Sequence, residues 1–332
     1  MIGIIELFRL STLLFILVKS YSFIKQKKIR PNRVCYRSSY VPLDYSKNIR
    51  FLPIQDIDGL NKQVRILDMN SPDSSINNYP IVLLTGTAQT IDSYFPHFKY
   101  FSSYSRLIIL ELRGQGKTEL ASECATMDQH LHDMKAIFDL LNLDKFHIIG
   151  FSFGGRVGLA YASNYPNSVI KLSISCVPLV RSALGQNILE SWKQSLLVGN
   201  LREAAWSIVI NSYSDRFHDK IGTRISNIIN IIVDTNEPKK LYDLIHLSNI
   251  SDENDPLSIS NCIKRVNCPV QVIAAKRDRI ACFDSVFNLY SCIKEKVKYP
   301  VFFECQNSGH SVPFEDPVIW QTNIIEFFKT DS

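Results

Sequence analysis

The sequence predicts an α/β protein, with a mostly parallel central sheet, helices on both of its faces and a helical insertion before the last two strands. Three observations predict it. Short apolar runs alternate with helix-like segments from residue 64 to residue 305. One of those runs passes through a serine into a glycine-rich helix, and the strand rhythm stops between about residues 179 and 260.

Val64 to Met69, Ile81 to Leu84, Arg106 to Leu110, Phe146 to Ile149, Ile170 to Cys176, Val270 to Ala275 and Val301 to Cys305 read as buried strands, because each is a short apolar run bounded by polar or turn-forming residues. Asn70 to Tyr79, rich in Ser, Asn, Pro and Asp, reads as a loop. From Asp128 to Leu141 the residues Leu131, Met134, Phe138 and Leu141 fall on one face of a helix. In the insertion, Leu184, Ile188, Trp192 and Leu196 recur every four residues, and Trp206 falls in the next helical stretch.

The most informative segment is Gly150-Phe151-Ser152-Phe153-Gly154, which follows the run Phe146 to Ile149 and opens the small-residue helix from Gly154 to Ala160. A sharp strand-to-helix turn exposes the serine hydroxyl at the sheet edge. Glycines on either side relieve the crowding, and the helix N-terminus favours negative charge there. Two later strands end in polar residues of complementary chemistry. Val270 to Ala275 empties into Lys276-Arg277-Asp278-Arg279, and Val301 to Cys305 runs through Gln306-Asn307-Ser308-Gly309 into His310. Strand carboxyl ends are where open α/β sheets place ligands. Asp284 stands six residues beyond Asp278 and stays open as an alternative acid. Of the other six histidines, His147 lies inside a strand and reads as a core residue, while His97, His130, His132, His218 and His246 read as surface or helix positions.

These features resemble the α/β-hydrolase superfamily. Glu111-Leu112-Arg113-Gly114-Gln115-Gly116-Lys117-Thr118 is similar to the family's (D/E)xRGxGxS segment, and Gly309-His310 with the downstream Glu315 and Pro317 is similar to its histidine loop. The likeness runs from about residue 64 to the end of the chain. It implies the α/β-hydrolase fold, a core at 51–178 and 261–332, and a helical cap at 179–260. It further implies Ser152 as nucleophile, His310 as base and Asp278 as the carboxylate that orients it, with the amides of Phe153 and Thr87 receiving the oxyanion. Gly86, Trp192 and Trp206 are the candidate pocket residues. One departure is Thr85-Gly86-Thr87, which stands where the family usually has His-Gly, so a side-chain brace for the oxyanion loop is missing.

The implied activity is hydrolysis of a carboxylic ester or thioester, with a small-molecule acyl substrate that a membrane-proximal location would make lipid-derived. An acyltransferase or carbon–carbon bond hydrolase on the same triad is the alternative enzyme, and a non-catalytic ligand receptor the alternative of another class. A serine rather than an aspartate at position 152 disfavours epoxide hydrolases and dehalogenases, which use a carboxylate nucleophile within this fold. Nothing indicates a cofactor. Gly114 to Thr118 ends like a phosphate loop, but glycine is missing at Glu111, and the eight cysteines show no CxxC or metal-ligand spacing. The chain reads as mainly thiol-bearing, with Cys262–Cys268 or Cys282–Cys292 as the pairs that could form.

At 332 residues, 45% hydrophobic and 21% charged, the chain can bury one large core with an insertion. Its net charge of +5 is uneven: residues 1–50 carry 10 Lys+Arg against 2 Asp+Glu, so the remainder is slightly acidic and nucleic acid is excluded as a partner. Residues 1–24 form a hydrophobic leader, with Leu10 to Val18 as its uninterrupted apolar stretch. Nine residues suit a signal-peptide core, whereas a membrane span needs ~20. An uncleaved anchor and membrane association stay open. The linker at 25–50 is basic, and the expected location is the endomembrane system or an organelle.

Overall fold

The computed structural model describes residues 45–73, 78–120, 125–248 and 254–330. The leader expected at 1–24 and most of the linker expected at 25–50 lie outside these residues. Among the described residues, no helix is long and apolar enough to cross a membrane.

The described chain runs through β1 (Ile49–Gln55), β2 (Asn61–Met69), β3 (Ile81–Leu84), α1 (Phe95–Tyr104), β4 (Leu107–Leu110), α2 (Met127–Leu140), β5 (Phe146–Phe151), α3 (Phe153–Asn164) and β6 (Val169–Ser175). The insertion follows as α4 (Ala183–Leu197), α5 (Leu201–Ser212), α6 (Asp215–Ile221), α7 (Ile225–Thr235) and α8 (Pro238–Ser248). After it come α9 (Ile259–Arg265), β7 (Val270–Ala275), α10 (Phe283–Lys294), β8 (Val301–Cys305), α11 (Val312–Glu315) and α12 (Pro317–Lys329).

The sheet order is β1-β2-β4-β3-β5-β6-β7-β8. β2 pairs antiparallel with β1 and β4, and all pairs from β4 to β8 are parallel. Alternation along the strands divides the core into two layers. Val82, Leu84, Ile108 and Ile148 pack with Met134 and Phe138 of α2 and Val157 of α3, whereas Ile81, Leu83, Ile109 and Ile149 pack with Phe98 of α1 and Trp320 and Ile324 of α12. Both faces are covered, so the central strands read as continuous apolar runs. This is the α/β-hydrolase fold.

The insertion has a third apolar cluster of its own, including Trp192, Leu196, Ala205 and Ile229. Two residues from core loops, Ala88 and Ile280, belong to that cluster. A side chain at Gly185 would meet the Ile280 carbonyl at 2.4 Å, so α4 starts hard against the loop that carries Asp278.

The structure departs from the sequence expectations at several points. β1 begins at Ile49, within the segment expected to be linker, and it is an exposed edge strand in which only Ile54 is buried, so it carries almost no apolar alternation. β2 starts three residues early, at Asn61, because its first turn pairs with β1. Cys176, expected inside a strand, follows the end of β6 with φ +57°. His97 and His130 are helical but fully buried rather than on the surface. Cys262, Cys268, Cys282 and Cys292 are all free thiols, so neither of the pairs that the sequence left open forms.

Candidate active site

Ser152 joins β5 to α3 with φ +51° and ψ −115°, a conformation that costs a non-glycine residue of order 1–3 kcal/mol. Its neighbours hold it there. The Ser152 amide donates to the Ser175 carbonyl of β6 at 2.8 Å, and its own carbonyl accepts from the Arg156 amide at 3.1 Å as the first helical bond. The glycines are sterically required: a Cβ at 150 would lie 2.4 Å from Gly155 Cα, and one at 154 would lie 2.3 Å from the Leu84 carbonyl oxygen. Any side chain at either position would push α3 off the sheet.

His310 and Asp278 arrive from the ends of β8 and β7. His310 Nε2 lies 2.9 Å from Ser152 Oγ, and His310 Nδ1 lies 2.7 Å from Asp278 Oδ2. The other Asp278 oxygen accepts from the amides of Ile280 and Ala281, both at 2.8 Å, and its side chain is wholly buried. With those acceptor bonds in place, the carboxylate is fixed in orientation. The alternative acid, Asp284, sits in the first turn of α10 and makes no bond to His310.

The histidine loop has a brace that the sequence motif only hints at. Glu315, on α11, accepts from the Gly309 amide at 2.8 Å and from the Ser214 amide at 3.2 Å, and the Ser214 hydroxyl also donates to it. Burial pushes this carboxyl above its ordinary value. The Glu315 contacts tie the insertion, through Ser214, to the residue preceding His310.

Thr87 and Phe153 both stand beside Ser152, Thr87 in the loop after β3 and Phe153 as the first residue of α3, where a helix leaves its amides without intrahelical acceptors. The Thr87 loop is strained at Ala88, with φ +63°. In place of the family's histidine it is held by Gln89, whose Oε1 accepts from the Gly86 amide at 2.9 Å and from the Tyr94 hydroxyl at 2.7 Å. The Gln89 amide donates in turn to Gln115 Oε1 at 3.2 Å. Glu111 organises that second segment, accepting from the Lys117 amide at 2.5 Å, the Ile91 amide at 3.2 Å and Arg65 Nη1 at 3.0 Å. Gln89 and Tyr94 were invisible to motif reading, because their role exists only once the loop closes.

A cavity of about 310 Å³ opens over Ser152 and His310. Its wall includes Leu189, Trp192, Ile208, Ile232 and Phe314, with Arg181 as the cation among the lining residues. Of the expected pocket residues, Trp192 lines it. Gly86 does not, since a side chain there would strike the Phe151 ring at 2.7 Å, and Trp206 lies outside on a partly exposed face of α5.

The sheet and the serine turn thus define a protein of the hydrolase-fold class. A family model described as the alpha/beta hydrolase fold matches residues 79–194. The monoacylglycerol lipase ABHD6 of Bos taurus is 23% identical over 263 residues, covering 75% of each chain. A 2-hydroxy-6-oxononadienedioate/2-hydroxy-6-oxononatrienedioate hydrolase of Pseudomonas putida is 23% identical over 230 residues, covering 67% of this chain and 76% of its own. Among solved structures, the enol-lactonase of Burkholderia xenovorans LB400 superposes with a TM-score of 0.70 at 15% identity, covering 84% of this chain and all of the other. The chain has the α/β-hydrolase fold, and these likenesses support a place in the superfamily of enzymes built on it.

Proposed function

We propose that the protein is a serine hydrolase that cleaves a carboxylic ester or thioester through an acyl-enzyme. The observation that carries this reading is the unbroken chain from Ser152 Oγ to His310 Nε2 at 2.9 Å and from His310 Nδ1 to Asp278 Oδ2 at 2.7 Å. A serine hydroxyl is a weak nucleophile until a base takes its proton, and the base works when a carboxylate fixes its tautomer. Ser152 attacks the acyl carbonyl while His310 takes the hydroxyl proton. His310 then gives that proton to the leaving alcohol or thiol, and water repeats the sequence to release the acid. The amides of Thr87 and Phe153 receive the oxyanion, each worth ~3–4 kcal/mol of transition-state stabilisation. Asp278 orients the imidazole and balances the imidazolium.

The apolar cavity wall supports a hydrocarbon acyl group, as does the likeness to a protein named as a monoacylglycerol lipase. One observation favours a second reading, a carbon–carbon bond hydrolase. Arg181 among the lining residues suits a substrate with an acidic group, such as the dioate named for the Pseudomonas putida relative.

Fluorophosphonate labelling of the protein beside Ser152→Ala and His310→Ala tests the triad. Labelling of the wild type that both substitutions abolish is the expected result, and a folded wild type that does not label would sink the reading. Turnover of acyl esters against carboxylated diketones then separates the two substrate classes.

A further inference from the structure

We propose that Cys176, Asp278 and His310 together form an inhibitory site for a zinc-type divalent cation, a proposal that rests on His310 acting as the base of Ser152. The Cys176 sulfur, an Asp278 carboxylate oxygen and a His310 ring nitrogen all lie within 4.8 Å of one another, and all three residues are buried. Thiolate, carboxylate and imidazole are the donors that zinc takes, at about 2.0–2.3 Å in tetrahedral geometry. That geometry spaces neighbouring donors roughly 3.3–3.8 Å apart, so movements of about 1 Å would close the set. The sulfur is held in place by the backbone. Cys176 sits in the left-handed region at the end of β6, and its amide donates to the Ile273 carbonyl of β7 at 2.9 Å.

The binding step balances as an exchange of a proton for a metal ion. Nδ1 of His310 gives up its hydrogen bond to Asp278 and bonds to the metal, while its proton relocates to Nε2. The Cys176 thiol releases one proton to solvent, and S–Zn, N–Zn and O–Zn bonds form with no change of oxidation state. His310 Nε2 then carries a hydrogen and has no lone pair to accept the Ser152 proton. The serine remains in place but unactivated.

Two features shape the behaviour of such a site. Cys176 is fully buried, so its sulfur is reached only through the protein interior. His310 lines the cavity whereas Cys176 does not, so an ion must pass the imidazole and inhibition sets in slowly.

The test uses the full chain with Cys176→Ser, Cys176→Ala and Cys305→Ser, titrated with cobalt(II) for spectroscopy and zinc(II) for inhibition. The readouts are thiolate-to-cobalt charge-transfer absorption and the rate of fluorophosphonate labelling, each variant compared with its own metal-free rate. Wild type and Cys305→Ser are expected to show the absorption and a slow-onset fall in labelling of about tenfold or more, reversed by chelator. Both Cys176 variants should lose the absorption and the zinc effect. No absorption in the wild type, or absorption that persists in folded Cys176 variants, overturns the proposal. Wild-type protein that fails to label without metal would instead overturn the serine reading, and the cobalt spectrum would still decide whether the metal site exists.

Discussion

The sheet core and the helical insertion solve burial in opposite ways. The core takes charge inside: Arg113 is fully buried and donates to Asp133 at 2.9 and 3.0 Å, Lys62 donates to the same carboxylate at 2.6 Å, and Glu111 and Arg65 pair at 3.0 Å. The insertion does the reverse. It turns apolar side chains outward, with Leu184, Leu197, Val198 and Ile210 all exposed. Buried ionic networks are costly to form and costlier to break, so they specify one arrangement of the loops around Ser152. A surface with few such constraints can change its residues without disturbing that arrangement. The comparison teaches that the candidate triad is anchored in the core, while the wall of the cavity is shared between the core and the more permissive insertion.

Acid should break the core first. Burial lowers His97 to about 4 and both His130 and His147 to about 3, with Lys171 adding to the effect at His147. Unfolded, each titrates near ~6.5, so below that pH the unfolded chain binds protons that the folded one refuses. Stability is therefore complete above pH ~6.5 and falls as pH drops towards 4, by about 2 kcal/mol per histidine between pH 7 and pH 5. Urea unfolding at the two pH values measures this, and a flat profile would contradict the burial of these rings.

Next in size is Arg113→Met, which leaves Asp56 without its cation and Asp133 with Lys62 alone. A loss of about 3–5 kcal/mol is expected in denaturant unfolding. An unchanged midpoint would mean that the network adds specificity without stability. The smallest effect belongs to the insertion. Val198→Ser, at a side chain 79% exposed, should alter stability by no more than ~0.5 kcal/mol. Ile232→Ala, in the cavity wall, should shift the preferred acyl length while labelling of Ser152 continues. Equal acyl preference in that variant and the wild type would remove Ile232 from the pocket.

What could be read in the sequence follows the same division. The central strands and the serine turn were legible because each is a local pattern, a short apolar run or glycines packed within a few residues of Ser152. Asp278 and His310 were legible as strand-end residues, and the structure places both within hydrogen-bond reach of the chain that begins at Ser152. Edge strand β1 was not legible, since a strand with one buried residue has no apolar rhythm to detect. Nor were the braces Gln89, Tyr94 and Ser214, whose partners come from distant or newly folded segments. The burial of His97 depends on Gln321, 224 positions away, which bonds its ring nitrogen at 2.7 Å. Trp206 misled because a periodic apolar helix in the insertion has two candidate faces, and of the two expected tryptophans only Trp192 lines the cavity.

β6 is fastened at both ends by the last helix. Trp320 Nε1 donates to the Ser175 hydroxyl at 2.9 Å, and Lys171 Nζ reaches the carbonyls of Phe327 and Phe328 at 3.1 and 3.2 Å. The carbonyl that holds the Ser152 amide belongs to Ser175. A ribosome that has emitted everything up to β7 has therefore made the serine turn without the helix that clamps its support, and without His310. The serine's surroundings are completed only once β8, α11 and α12 have been made and have packed against β6.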